Sequence, residues 1–164
     1  MLSYDIVVGR ETQIKEISSG SLPKITQDDF IKALDENGKE VFEKVLQFAN
    51  QKKLPIRWGS KGFSMNVDKD GIKVVICYGF PPDSVFKQSV YTGLVGKGGL
   101  LSKIDVSESV KEELWQEAYG TGIFQEAGQE LKVVVDRKFS EKEIELLLNW
   151  LEKLVSTIIS LDLK

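Results

Sequence analysis

Between Phe63 and Val67 the chain alternates, with Phe63, Met65 and Val67 apolar and Ser64 and Asn66 polar. A period of two is that of a strand with one face buried. Ile72 to Tyr78 is almost entirely apolar and β-rich, which predicts a central strand covered on both faces. Asp68-Lys69-Asp70-Gly71 between them predicts a hairpin turn, because glycine readily supplies positive φ. The segment from Gly122 to Asp136 predicts a second hairpin. Two short strands, Leu2 to Gly9 and Thr12 to Ser18, predict another at the start, followed by a loop at Gly20 and Pro23.

Helical spacing fills the intervals. Thr26 is an expected N-cap, with Asp28 and Asp29 in the first turn and Phe30, Ile31 and Leu34 as the apolar positions. Gly38 is the expected stop. A second helix from about Glu40 carries Val41, Phe42, Val45, Leu46, Phe48 and Ala49. Ser107 is expected to cap a helix with Val110, Leu114 and Ala118, stopped at Gly120. Ser140 with Glu143 is a capping box for a final helix from Glu141 to Leu161. Leu146 and Trp150 widen the apolar face of that helix beyond one stripe. Burial on two sides explains this width, and a homodimer contact is the alternative.

The stretch from Tyr78 to Ser89 (YGFPPDSVFKQS) joins two such patterns. Pro81 and Pro82 end the preceding strand, since proline has no N–H for the ladder. Asp83 or Ser84 is then expected to cap a helix with Val85, Phe86, Val90 and Leu94, ending at the glycines of Gly96-Lys97-Gly98-Gly99. Strands in clusters predict an α+β fold. A mixed or antiparallel sheet built from hairpins would be covered by four to five helices in two layers. Residues 1–25 are expected to form a β-hairpin appendage and loop, and residues 26–164 a single α+β domain.

Composition narrows the chemistry. Cys77 is the only cysteine and lies in an apolar strand, so no intrachain disulfide can form and a core role is expected. There is no histidine, which removes Ser-His-Asp and Cys-His catalysis within this chain and zinc sites that contain histidine. No basic leader precedes an apolar signal core, and no eighteen-residue apolar run exists. The expected location is cytoplasmic, with no membrane partner and no cofactor.

Three motifs look chemical. Asn66, Asp68 and Asp70 before Gly71 imitate an EF-hand loop, but Cys77 stands where the twelfth-position acid belongs. Gly93 to Gly99 lacks the spacing of a phosphate-binding P-loop. Asp83, Glu130 and Lys132 outline a Mg²⁺-dependent nuclease, in which two carboxylates hold the metal and a lysine stabilises charge. For these two acids a capping position and a solvated hairpin are the simpler readings.

Charge is unevenly spread. Residues 50–103 hold nine basic and three acidic side chains, whereas the segments on either side are net acidic and the whole chain is −3. Aromatic residues lie among these cations. Cations beside rings that can stack on bases suit a nucleic-acid surface. The glycines of the middle third would also let backbone N–H groups approach phosphates. The sequence therefore points to a non-catalytic accessory domain that binds nucleic acid or another phosphate-rich ligand. Arg57, Lys61, Lys87, Lys97 and Lys103 would contact phosphates, and Trp58 or Tyr91 would stack. The nuclease, and an interaction or dimerisation module built on the final helix, are the alternatives.

Overall fold

The computed structural model describes residues 22–164. The strands expected between Leu2 and Ser18 lie outside the described residues. The chain opens with α1 (Gln27–Ala33) and α2 (Glu36–Lys52). Strands β1 (Ile56–Trp58), β2 (Phe63–Lys69), β3 (Ile72–Phe80) and β4 (Ser89–Thr92) follow. Then come α3 (Leu100–Lys103), α4 (Glu108–Thr121), β5 (Gln125–Ala127), β6 (Glu130–Val134) and α5 (Glu141–Ser160). The strands form one sheet in the order β1-β2-β3-β4-β6-β5, antiparallel at every junction. This is the α+β architecture expected from the pattern, in its antiparallel form.

Local signals account for the helix ends. Thr26 and Asp29 form a capping box, and so do Ser140 and Glu143. Each pair satisfies backbone donors that a helix start leaves open. Asp35, not Gly38, separates the first two helices, since its side chain accepts from the Gly38 N–H and starts α2. Gly38 lies inside α2, where the buried Gln88 amide occupies the space that a Cβ would fill. Gln88 Nε2 donates to Asp35 Oδ1 at 2.8 Å and to the Val135 carbonyl at 2.9 Å. Asp70 and Gly71 both have positive φ, as a tight hairpin turn between β2 and β3 requires.

Helix α5 packs on α2, α4, β2 and β3. Leu147, Trp150, Leu151 and Leu154 are all buried, and Trp150 Nε1 donates to the Leu114 carbonyl at 2.9 Å. The width of the apolar face is thus used inside the chain, and of its large hydrophobic residues only Ile159 is strongly exposed. Among the described residues, no helix is long and apolar enough to cross a membrane.

One expected element differs. Residues 85–94 form no helix. Ser84 accepts the Phe86 N–H in a local turn, Lys87 takes a left-handed φ of 62°, and Ser89–Thr92 becomes β4. Tertiary pairing decides this segment. As β4, Ser-Val-Tyr-Thr joins the ladders of both β3 and β6, which would otherwise present open edges at the centre of the sheet.

Candidate functional site

Register fixes which side chains share a face. Arg57 pairs with Ser64, Ser64 with Tyr78, Tyr78 with Tyr91, Tyr91 with Lys132, and Lys132 with Gln125. Directly paired residues project to the same side of a sheet. These six positions therefore form one row across all six strands. The neighbouring row, Phe63, Gly79, Val90 and Val133, projects the other way into the helix-covered core. On the far face, the Gly93–Gly99 loop lies over Val75, whose N–H donates to the Gly98 carbonyl at 2.8 Å. The rest of the row stays in contact with solvent.

Four rings gather on this far face. Phe80 is two residues from Tyr78, and their rings stack with centroids 6.3 Å apart. Phe86 reaches over from the turn that replaced the expected helix and stacks on Phe80 at 4.5 Å. Tyr91 meets both Phe80 and Phe86 edge-on, at 5.7 and 5.2 Å. Lys132 Nζ lies 5.8 Å from the Tyr91 ring centre. Phe86 is 43% exposed and Tyr78 36%, so ring surface is available to a ligand.

Beside the rings is an open cleft of about 410 Å³. Arg57, Lys61, Ser64, Tyr78 and Phe80 contribute to its wall, together with the Gly59–Gly62 turn. Its lining includes two cations and no carboxylate. Arg57 is steadied from below by Asn66, a fully buried side chain whose Oδ1 accepts from the guanidinium at 3.4 Å. Asn66 Nδ2 is within 3.3 Å of the Pro55 and Ser64 carbonyls. Burial pushes the Tyr78 phenol above its ordinary pKa, with the charge on Glu130 adding to the rise and Arg57 opposing it. Tyr78 is accordingly a neutral hydroxyl at physiological pH.

The sequence-derived residues separate into groups. Arg57 and Lys61 meet at the cleft, and Tyr91 belongs to the ring cluster. Lys87 is exposed on the turn directly after Phe86. Trp58 sits at the cleft edge, but its ring packs at 5.6 Å on Phe30 and 5.3 Å on Phe63 in the core. Lys97 lies on the Gly93–Gly99 loop and Lys103 in α3, and neither lines the cleft. Among the described residues, these five cations (Arg57, Lys61, Lys87, Lys97 and Lys103) join no ion pair, whereas Lys52 pairs with Glu152 and Lys73 with Asp68. Tyr78, Phe80, Phe86 and Lys132 were absent from the expected set. The spacing Tyr78-Gly79-Phe80 carried a signal, since ring, small residue, ring along a strand puts both rings on one face.

Three N–H groups of the glycine loop, those of Leu94, Val95 and Gly96, are already taken. Glu130 Oε1 accepts from the Thr92 hydroxyl and the Leu94 N–H, both at 2.8 Å. Its Oε2 accepts from the Val95 and Gly96 N–H groups at 2.8 and 3.1 Å. A carboxylate of the chain itself fills the anion-binding nest that the glycines create. Among the described residues, no group of three or more acidic or thiol side chains is placed to hold a metal ion. Asp68 of the EF-hand-like stretch accepts from Gly71 and pairs with Lys73 at 2.9 Å. Burial pushes the Cys77 thiol up to about 12, in keeping with a core side chain. No protein-family model, curated protein or solved structure matches this chain.

Proposed function

We propose that the far face of the sheet is a non-catalytic binding surface for nucleic acid or a similarly phosphate-rich ligand, acting within an accessory domain. One observation carries the reading: Tyr78, Phe80, Phe86 and Tyr91 cluster on a solvent-facing side of the sheet, with Arg57 and Lys61 on one flank and Lys132 on the other. Ring surface left in water is costly, because burying it would be favourable. Rings flanked by cations suit ligands that are flat and anionic at once. A cytoplasmic location is part of this proposal.

The test is binding of labelled nucleic acid over a salt series. Log K should fall linearly with log salt, by roughly 0.7 to 0.9 per neutralised phosphate. Replacing Arg57, Lys61 or Lys132 with alanine should reduce that slope. Salt-independent binding, or slopes unchanged in all three variants, would remove the proposal.

The nuclease reading has less support, because Glu130 already accepts from four donors that a metal would have to displace. Dimerisation through α5 has less support too, because its apolar width is occupied by α2, α4 and the sheet.

A further inference from the structure

Resting on that reading, we infer that the occupant is single-stranded nucleic acid, several nucleotides long, with its bases stacked on Tyr78 and Phe86 and its phosphates at the cleft and at Lys132. Three features argue for this form. The first is the kind of contact offered. Tyr78 and Phe86 leave ring surface exposed, and stacking on it requires a base whose own face is free. Bases in a duplex are already stacked on both sides, and exposing one costs a few kcal/mol.

The second is shape. The row from Arg57 to Lys132 crosses five neighbouring strands, about 19 Å at the usual strand spacing. A duplex major groove is about 12 Å wide and admits a helix or a two-stranded ribbon, so a sheet this broad cannot enter it. A strand of nucleotides laid across the sheet meets no such limit.

The third is the order of chemistry along the row. Cations stand at the Arg57–Lys61 end and at Lys132, and rings lie between them. A single nucleotide would bring its phosphate to one end only. A chain of nucleotides brings phosphates to both ends and bases to the middle. Tyr78 adds a neutral hydroxyl beside Arg57, able to donate to or accept from a base edge.

Four ligands separate this inference from the broader proposal: a single strand of about ten nucleotides, within the usual range of site sizes, the same strand as a duplex, an abasic strand of equal length, and inorganic polyphosphate. Fluorescence anisotropy at one salt concentration should rank the base-bearing single strand first. Phe86→Ala and Tyr78→Ala should each weaken it by about 5- to 150-fold, a larger loss than either causes for the abasic strand. Equal affinity for the base-bearing strand, the abasic strand and the duplex would overturn the stacked single strand while leaving phosphate binding intact. Absence of binding to all four would overturn both. Photocrosslinking of an iodouracil-bearing strand to the unmodified protein should give adducts at Tyr78 or Phe86, and adducts confined to α4 or α5 would refute the placement.

Discussion

Phe86 stacks on Phe80 with ring centroids 4.5 Å apart and planes inclined by 29°. One ring comes from a strand and the other from a turn, so the contact ties the turn after Pro82 to the sheet surface. Phe86 remains 43% exposed despite that contact. Its neighbour Val85 is 88% exposed and takes no part.

The two aromatic sides of the sheet should respond differently to truncation. Phe86→Ala removes a half-exposed ring and should cost no more than about 1 kcal/mol of stability. Trp58→Ala removes a ring packed on Phe30 and Phe63 and should cost about 3 kcal/mol. Urea unfolding of the two variants measures the contrast, and binding should show the reverse order.

Glu130→Ala should destabilise the chain by about 3 kcal/mol. It would strand the Thr92 hydroxyl and three loop N–H groups, although solvent can reach part of this site. Lys132→Ala should leave stability nearly unchanged, since among the described residues its ammonium joins no ion pair and lies 5.8 Å from the Tyr91 ring centre. A shared metal site would instead make both residues necessary for metal-dependent cleavage, which a nuclease assay with Mg²⁺ would detect.

Gly62→Ala should damage the cleft more than its size suggests. A Cβ there would stand 1.9 Å from the Gly79 carbonyl oxygen, a backbone atom with little room to yield. Separating β2 from β3 at this point should cost about 1 to 3 kcal/mol. It should also weaken ligand binding through displacement of Arg57 and Lys61. Thermal melting and anisotropy together report both effects.

Acid should loosen the start of α5. The Arg137 guanidinium, at 2.7 Å, and the Ser140 N–H hold the Glu143 carboxyl down at about 2, against an ordinary value of 4.5. A depressed carboxyl stabilises the fold fully above its unfolded pKa, and the contribution is lost as pH falls through the folded value. The window is therefore from about 4.5 down to about 2. Arg137→Met should raise the Glu143 carboxyl pKa seen by NMR and move acid unfolding of this helix to higher pH.

The candidate site was partly legible before folding was considered. Arg57, Lys61 and Tyr91 could be named because the middle third concentrates positive charge and rings. Lys132 was named only for the nuclease outline, not as a contact of this face, because it lies in a net acidic segment and reaches Tyr91 only through the pairing of β4 with β6. Lys97 was drawn in by the same charge count, yet its loop lies over Val75 and folds around Glu130, and Lys97 does not line the cleft. Net charge over a segment records how many cations are present, not which face they reach.

The sequence by itself determined the elements whose causes are local. Capping boxes at Thr26 and Ser140 set helix starts, the Asp70-Gly71 turn set a hairpin, and apolar spacing set the buried sides of α2 and α5. Only the tertiary structure decided the fate of residues 85–94. Their apolar spacing suits a helix, but the strands on either side needed a partner, and backbone hydrogen bonding across both ladders outweighed local periodicity. That choice turned Tyr91 outward and freed Phe86 to cover Phe80, so the proposed binding face exists because of a long-range pairing.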